Sequence, residues 1–352
     1  MRIFYLRATT RPSTAWIASC TVMHICEIVG LNEDENIRRI AARPGSAELG
    51  NDADRLRRVF WICWAGHVIL SYEYDRSAVL FGALTTGPIR PAPGSVADEF
   101  AALAQLLPSP NSPFQVQSQH SSHSQTSSHS HGQSAPLAPE EDLFARLKAL
   151  HTHHPTHPFL IAAKADLAFC FYRRIYQLKT AIPDSIVELI IAAGNDAVDA
   201  AMNLASQGRL LWNSIGSVFQ YTCVLIAIDT PAAAANIPGA FKRLEDLVRA
   251  ADTGITRQAL EIARYLLSLR VRKKRRELAV LEGVEAGFQG FPGVSETETE
   301  TEIDVNNSIN VSTGANSGLS DGGIGFGWGM DWDQFVFEPY FAMLGAEVQV
   351  QM

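Results

Sequence analysis

The chain has 352 residues, a formal net charge of −8 and a hydrophobic content of 47%, which supports a sizeable core in one large or two average domains. Residues 281–352 carry twelve acidic and no basic side chains, so the remainder has 29 basic and 25 acidic residues, a net of +4. Neither part is the strongly basic surface that binding to a phosphate backbone requires. This argues against a protein that binds nucleic acid by itself.

Cysteine usage bounds the redox environment and the metal content. The five cysteines are odd in number and lie within apolar segments: Cys20, Cys26, Cys63, Cys170 and Cys223. Such a pattern is typical of reduced, buried thiols and not of a disulfide framework. No Cys-x2-Cys pair occurs, so we expect no zinc cluster in this chain, and we expect no other cofactor.

The first part of the chain predicts helices around one central helix. A helix over 13–29 is followed by a polar connection over 33–51. The central helix begins after an N-cap at Asn51 or Asp52, and its uncharged block, 59–72, is apolar on most of its circumference. Fourteen residues are too few to cross a bilayer, which needs about 20, so this helix should be buried among other helices.

The later part predicts a series of further helices. A Gly- and Pro-rich loop follows Tyr74, and an Ala-rich connection covers 231–238. The uncharged stretch 210–228 has nearly the length of a membrane span, but its polar residues favour a buried helix. The predicted helices cover 140–150, 158–180, 183–205 (if Gly194 is tolerated), 210–228, 241–251 and 256–281.

The predicted fold class is all-α, with one multi-helix domain interrupted by a low-complexity insert. The insert is rich in Ser, Gln, His and Pro and has too little apolar surface to fold, so we expect it to be disordered. The predicted parts are a first half of the helical domain (1–108), the insert (109–139), a second half (140–281), and an acidic linker with a disordered aromatic-acidic tail (282–352).

Four segments, in order, resemble the fungal-specific transcription factor domain, the all-helical middle homology region of Zn2Cys6 regulators. The core motif is Arg57-Arg58-Val-Phe60-Trp61, followed by an apolar turn and Leu70-Ser71. The other three are the Trp-Ile-containing helix over 13–32, the apolar helix over 210–229 and the tail segment Asp331-Trp-Asp-Gln-Phe. The family commonly has a Gly-Arg-Pro turn, where this chain has Asp75-Arg76-Ser77 and keeps only the arginine.

The resemblance implies a nuclear regulator of transcription by RNA polymerase II. Its partners would be transcription coactivators or other regulators, with a homodimer as one expectation, and it would not be a membrane protein. The family's zinc cluster is absent, so DNA contact is expected only indirectly or through a missing N-terminal domain. Two interpretations stay open: a truncated regulator, or a modulator without DNA binding that pairs with full-length regulators.

Two segments are candidate functional elements of such a regulator. The basic run predicts either a nuclear-import signal or a solvated helix end; its residues are Arg270, Arg272, Lys273, Lys274, Arg275 and Arg276. The acidic-aromatic tail predicts either an activation segment or a segment that docks onto the helical core. Its candidate residues are Trp328, Asp331, Trp332, Asp333, Phe335 and Phe337.

No enzyme site is predicted. The sequence has no nucleophile elbow, Walker loop, dinucleotide fingerprint or His-Glu-x-x-His helix. His24 and His67 fall on apolar helix faces, where a hydrogen-bonded core histidine is the favoured interpretation. The histidines at 151, 153, 154 and 157 are dense enough to bind a metal in solution, but a Pro-flanked tract lacks the rigid geometry of a structural site.

Overall fold

The computed structural model describes residues 12–44, 52–89, 92, 94–108, 138–209 and 212–288. Within these ranges it contains ten α-helices and no strand, which confirms the all-α prediction. The helices are α1 (Pro12–Val29), α2 (Asp34–Ala41), α3 (Ala53–Glu73), α4 (Val96–Ala104), α5 (Pro139–His151), α6 (Pro158–Gln177), α7 (Asp184–Ser206), α8 (Trp212–Ala227), α9 (Pro231–Ala251) and α10 (Gly254–Phe288).

The described residues fall into two units, 12–267 and 268–288. In the first unit, α1, α2 and α4 pack around α3, while α7 packs against α6 and α8, and α9 covers α7 and α8. The two groups of helices are joined because α6 also contacts α3 and α4. Helix α3 therefore occupies the centre of the N-terminal group, as its apolar circumference predicts.

Local sequence explains where α3 begins and how it is buried. The Asp52 side chain accepts a hydrogen bond of 2.7 Å from the backbone N–H of Arg55, which satisfies one unpaired donor of the first turn. Phe60, Trp61 and Trp64 are almost fully buried. The predicted N-cap and the predicted central helix are both confirmed.

Two segments predicted as connections are helical. Within the polar stretch 33–51, α2 forms because its acidic residues lie in the first turn and its basic residues in the last, where both complement the helix dipole. The Ala-rich stretch 231–238 is the first part of α9, which starts with Pro231 at a position that needs no N–H donor. The structure also adds α4, which the sequence did not predict.

The end of the last helix shifts, and two segments cannot be compared. Helix α10 continues to Phe288, beyond the predicted end at 281. The insert is described only from residue 138, and the tail 289–352 lies outside the described residues.

No single helix in the described ranges is long and apolar enough to cross a membrane. Helices α1 and α2 pass that test only as a pair, and they are bent by 68° at the break between them. Helix α8 is a buried core helix, as its polar residues predicted: Val218, Leu225 and Ile226 are fully buried.

Gly194 in the middle of α7 leaves space for a tyrosine ring of the neighbouring helix α8. A Cβ atom at this position would lie 2.1 Å from Cδ2 of Tyr221 on α8. The Tyr221 ring is buried, and its hydroxyl donates a 2.8 Å hydrogen bond to Oδ1 of Asn195. The glycine, which helix propensity alone disfavours, is therefore required by packing.

We expect Gly194→Ala to destabilise the protein by about 1–3 kcal/mol, because the ring must move in a close-packed core. The measurement is the free energy of unfolding from urea denaturation. The matched control is Gly239→Ala in α9, where a Cβ would meet no atom within 4 Å. The control should gain stability by up to about 1 kcal/mol, because alanine has a higher helix propensity than glycine. An equal gain at position 194 would contradict the close packing of Gly194 against Tyr221.

Candidate functional site

The first of the paired arginines in α3 binds a carboxylate in α2. Arg57 donates two hydrogen bonds to Asp34, from Nε to Oδ1 at 2.6 Å and from Nη2 to Oδ2 at 2.9 Å. Asp34 also accepts a 3.1 Å hydrogen bond from the backbone N–H of Gly87. It forms an ion pair with Arg38 at 2.8 Å. Hydrogen bonding to Arg57 lowers the pKa of Asp34, although burial acts in the opposite direction.

The second arginine makes the equivalent connection to α4. Arg58 donates from Nε to Oδ1 of Asp98 at 2.7 Å and from Nη1 to Oδ2 of Asp54 at 2.7 Å. Asp98 is buried and accepts a 2.8 Å hydrogen bond from the backbone N–H of Ala92. Burial raises the pKa of Asp98, but the hydrogen bonds from Arg58 and Ala92 outweigh it, and the pKa is lowered overall.

The aromatic residues of the core motif hold the loop after α3, described at residues 74–89, 92, 94 and 95, against that helix. Trp61 donates a 3.0 Å hydrogen bond from its indole N–H to the carbonyl of Gly87. Its ring makes edge contacts with Phe60 and Trp64, and Phe60 contacts Phe81 in the loop with ring centroids 5.8 Å apart. A Cβ at Gly87 would lie 3.0 Å from Oδ1 of Asp34, so glycine allows this close approach.

The last residue of the motif holds the end of α3 to α1. The Trp16 indole N–H lies 3.2 Å from Oγ of Ser71 and 3.3 Å from the carbonyl of Ser77. Asp75 has φ of +51°, the left-handed conformation that follows many helices, and the Arg76 N–H donates to the Ser71 carbonyl at 2.8 Å. The turn therefore keeps the geometry that a glycine would favour, although Asp75 stands where the family has glycine.

His67 and Ser19 resemble a catalytic pair, but their hydrogen bonds exclude that role. The backbone N–H of Val79 donates to Nε2 of His67 at 2.7 Å, so the ring proton is on Nδ1. That proton is donated to Oγ of Ser19 at 2.9 Å, and Ser19 donates in turn to the Trp16 carbonyl at 2.7 Å. His67 therefore cannot accept the serine proton. It is the hydrogen-bonded core histidine that the sequence predicted.

These contacts provide hydrogen-bond acceptors for a loop whose described residues form neither a helix nor a strand. Its backbone N–H groups at Val79, Gly87 and Ala92 donate to His67, Asp34 and Asp98.

The sequence did not predict two residues of this group, Asp34 and Asp98. A signal for Asp98 was present, since Ser95 and Asp98 have the spacing of a helix cap, and Ser95 Oγ does accept from the Asp98 N–H at 3.3 Å.

The remaining candidate residues are those of the basic run and the tail. The basic run from Arg270 to Arg276 lies on α10, in the second unit, while the tail candidates from Trp328 to Phe337 lie outside the described residues. Among the residues that the structure describes, no group of three or more His, Cys, Asp or Glu side chains is arranged to hold a metal ion. His24, predicted on an apolar face, is instead exposed, 3.5 Å from Glu27.

We expect a double-mutant cycle of Arg57→Gln and Asp34→Asn to give a coupling free energy of about 1–3 kcal/mol, because the pair is bidentate and mostly buried. The measurement is again urea denaturation. The control cycle is Arg249→Gln with Asp246→Asn, an ion pair of 3.1 Å whose arginine is 75% exposed. Its coupling should be no more than about 0.5 kcal/mol. Similar coupling free energies in both cycles would show that burial does not strengthen the ion pair of Arg57 and Asp34.

His67 should make stability depend on pH. Burial, assisted by the nearby His24, lowers the pKa of His67 from 6.5 to about 4. The contribution of neutral His67 to the free energy of unfolding is therefore complete above 6.5, the pKa of this histidine in the unfolded chain. It is lost as the pH falls from 6.5 towards 4, with a slope of up to about 1.4 kcal/mol per pH unit. Asp34 and Asp98, whose pKa values are lowered, lose their contributions only at more acidic pH.

The measurement is the free energy of unfolding between pH 7.5 and pH 4.5. His67→Gln keeps an acceptor for the Val79 N–H but cannot titrate, so its profile should be flatter than that of the unaltered chain. The exposed His24→Gln is the control and should keep most of the slope. A slope that persists in His67→Gln would assign the titration to another group.

The chain is similar to curated fungal proteins over most of its length. It is 33% identical over 284 residues to Protein RDR1 of Saccharomyces cerevisiae. The matched region covers 80% of this chain and 48% of that protein. It is 28% identical over 296 residues to Transcription factor kojR of Aspergillus flavus, covering 84% of this chain and 49% of that protein.

Protein RDR1 of Gibberella zeae is 26% identical over 302 residues, covering 85% of this chain and 50% of that protein. No family model and no solved structure matches the chain. The chain thus spans about half the length of the curated relatives that it matches, one of which carries the name of a transcription factor.

Proposed function

We propose that this chain is a regulator of transcription and not an enzyme. The observation that carries the proposal is the similarity to Transcription factor kojR, which extends over 84% of this chain and is therefore not confined to one motif. The hydrogen bonding of the core motif agrees with this proposal. Its arginines, its indole N–H and the neighbouring histidine all bind other groups of the protein, so they build a scaffold and do not face a substrate.

The more specific assignment is the regulatory domain of a zinc-cluster-type fungal regulator acting on RNA polymerase II transcription. It rests on the resemblance of the core motif and on the all-helical fold. The sequence has no Cys-x2-Cys pair. Contact with DNA would therefore be made through other parts of a regulator or through a protein partner.

The basic run supports a nuclear location. Five of its members, at positions 272–276, are exposed on α10. Clustered, solvent-facing Lys and Arg are what an import receptor recognises.

The aromatic-acidic tail supplies the partner surface in this proposal. Acidic residues keep exposed aromatic side chains in water, and Trp and Phe can then insert into a groove of a transcription coactivator. A small molecule or partner that alters helix packing would regulate the access of coactivators to the tail.

The test is a reporter assay with two fusions to a heterologous DNA-binding domain, one carrying residues 1–352 and the other residues 282–352. We expect the full chain to change reporter output and the tail to raise it. Trp332→Ala with Phe335→Ala should abolish activation by the tail, because the inserting rings are lost. Gln334→Ala, between them, is the control.

The full-chain fusion could give the same reporter output as the DNA-binding domain alone. That result would contradict the proposal that the chain regulates transcription when it is brought to a promoter. The alternative of a modulator then predicts a different result: the unfused chain changes a reporter that depends on a full-length regulator.

A further inference from the structure

In the second unit, none of the helix side chains that the structure describes is buried. Every side chain described from 271 to 285 on α10 is exposed. The segment nevertheless carries large apolar residues with high exposed fractions: Val271 at 39%, Leu278 at 55%, Val280 at 67%, Leu281 at 65% and Val284 at 53%. Gly283 and three valines lower the helix propensity of this segment, and no tertiary packing of the described side chains compensates for it. A partner surface is therefore expected.

Three of these apolar residues lie on a seven-residue repeat together with a lysine and a glutamate. Val271, Leu278 and Glu285 are each seven apart, and Lys274 and Leu281, also seven apart, lie between them at spacings of three and four. This is the a and d pattern of a helix that packs against another helix along one stripe. At the stripe's centre are two leucines, with a lysine on one side of them and a glutamate on the other.

The charges along this helix are divided between its two parts. Six basic residues lie at 270–276, and three acidic residues follow: Glu277, Glu282 and Glu285. Two of the acidic residues are close to the C-terminal end of the helix, where the helix dipole disfavours a carboxylate. A parallel pair of these helices would place lysine against lysine and glutamate against glutamate. An antiparallel pair would place opposite charges together at both ends of the stripe.

We propose that this stripe is a self-association surface, on which α10 pairs in antiparallel orientation with α10 of a second copy of the chain. In the matching register, Leu278 packs against Leu281 of the partner subunit, and Lys274 meets Glu285 of the partner subunit. Arg275, beside the stripe, then lies near Glu282 of the partner subunit. The twofold symmetry of the pair repeats each contact.

The ion pair of Lys274 with its own helix is weak. Lys274 lies 3.1 Å from Glu277 of its own helix, but both side chains are close to half exposed, and such pairs are weak. A change of lysine rotamer is enough to reach a partner helix. Arg272, Lys273 and Arg276 fall away from the stripe, so pairing leaves a basic face for other partners.

The test is sedimentation equilibrium of the full chain at moderate salt. The unaltered chain should dimerise, and Leu281→Asp should prevent it. Lys274→Glu and Glu285→Lys should each raise the dissociation constant at least about tenfold, because each creates two like-charge contacts. Combining them should restore the dimer to within about threefold, since residues 274 and 285 are too far apart to interact in one helix.

Arg276→Glu is the matched control, because it makes the same charge change away from the stripe and should leave the dissociation constant nearly unchanged. Circular dichroism shows whether each variant remains helical. Glu285→Lys separates two explanations: relief of the helix dipole alone would strengthen the helix, whereas pairing predicts a weaker dimer. A monomeric unaltered chain would overturn the proposal. So would a dimer that survives Leu281→Asp, or one that the double charge reversal fails to restore.

Discussion

The N-terminal half of the structure depends on two carboxylates that each bind an arginine of α3 and a backbone N–H of the following loop. Asp34 joins Arg57 to Gly87, and Asp98 joins Arg58 to Ala92. Ionised groups that leave water are costly unless their hydrogen bonds are complete, and here both arginines make two hydrogen bonds to their main carboxylate. The adjacent arginines thereby attach α2, α4 and the loop to one helix.

The far end of α3 connects this arrangement to the second group of helices. The guanidinium of Arg174 on α6 lies 3.9 Å from the centre of the Tyr72 ring and donates a 3.0 Å hydrogen bond to the Tyr72 carbonyl. Tyr72 also contacts Phe171 edge-on, with centroids 5.8 Å apart. These contacts hold the two groups of helices together. In our proposals, the partner surfaces are the helix from 271 onwards and the tail.

Much of the fold follows from short-range sequence signals, whereas the site depends on pairs distant in sequence. The buried helices α3 and α8 were predicted from their uncharged apolar runs, and the N-cap of α3 from one aspartate. The first part of α9, at 231–238, was missed because an Ala-rich stretch bounded by two prolines predicts a connection, although Pro238 is accommodated inside the helix. The partners of Arg57 and Arg58 are 23 and 40 residues away, and no local pattern specifies such pairings.

Side chains from α2, α3 and α4 order the described part of this irregular loop as firmly as a helix. Amide hydrogen exchange of the full chain tests it most directly at Val79, Gly87 and Ala92, whose N–H groups bind His67, Asp34 and Asp98. If the claim holds, these three amides exchange as slowly as those inside α3, through global unfolding. Exchange at the rate of an unprotected surface loop would contradict it.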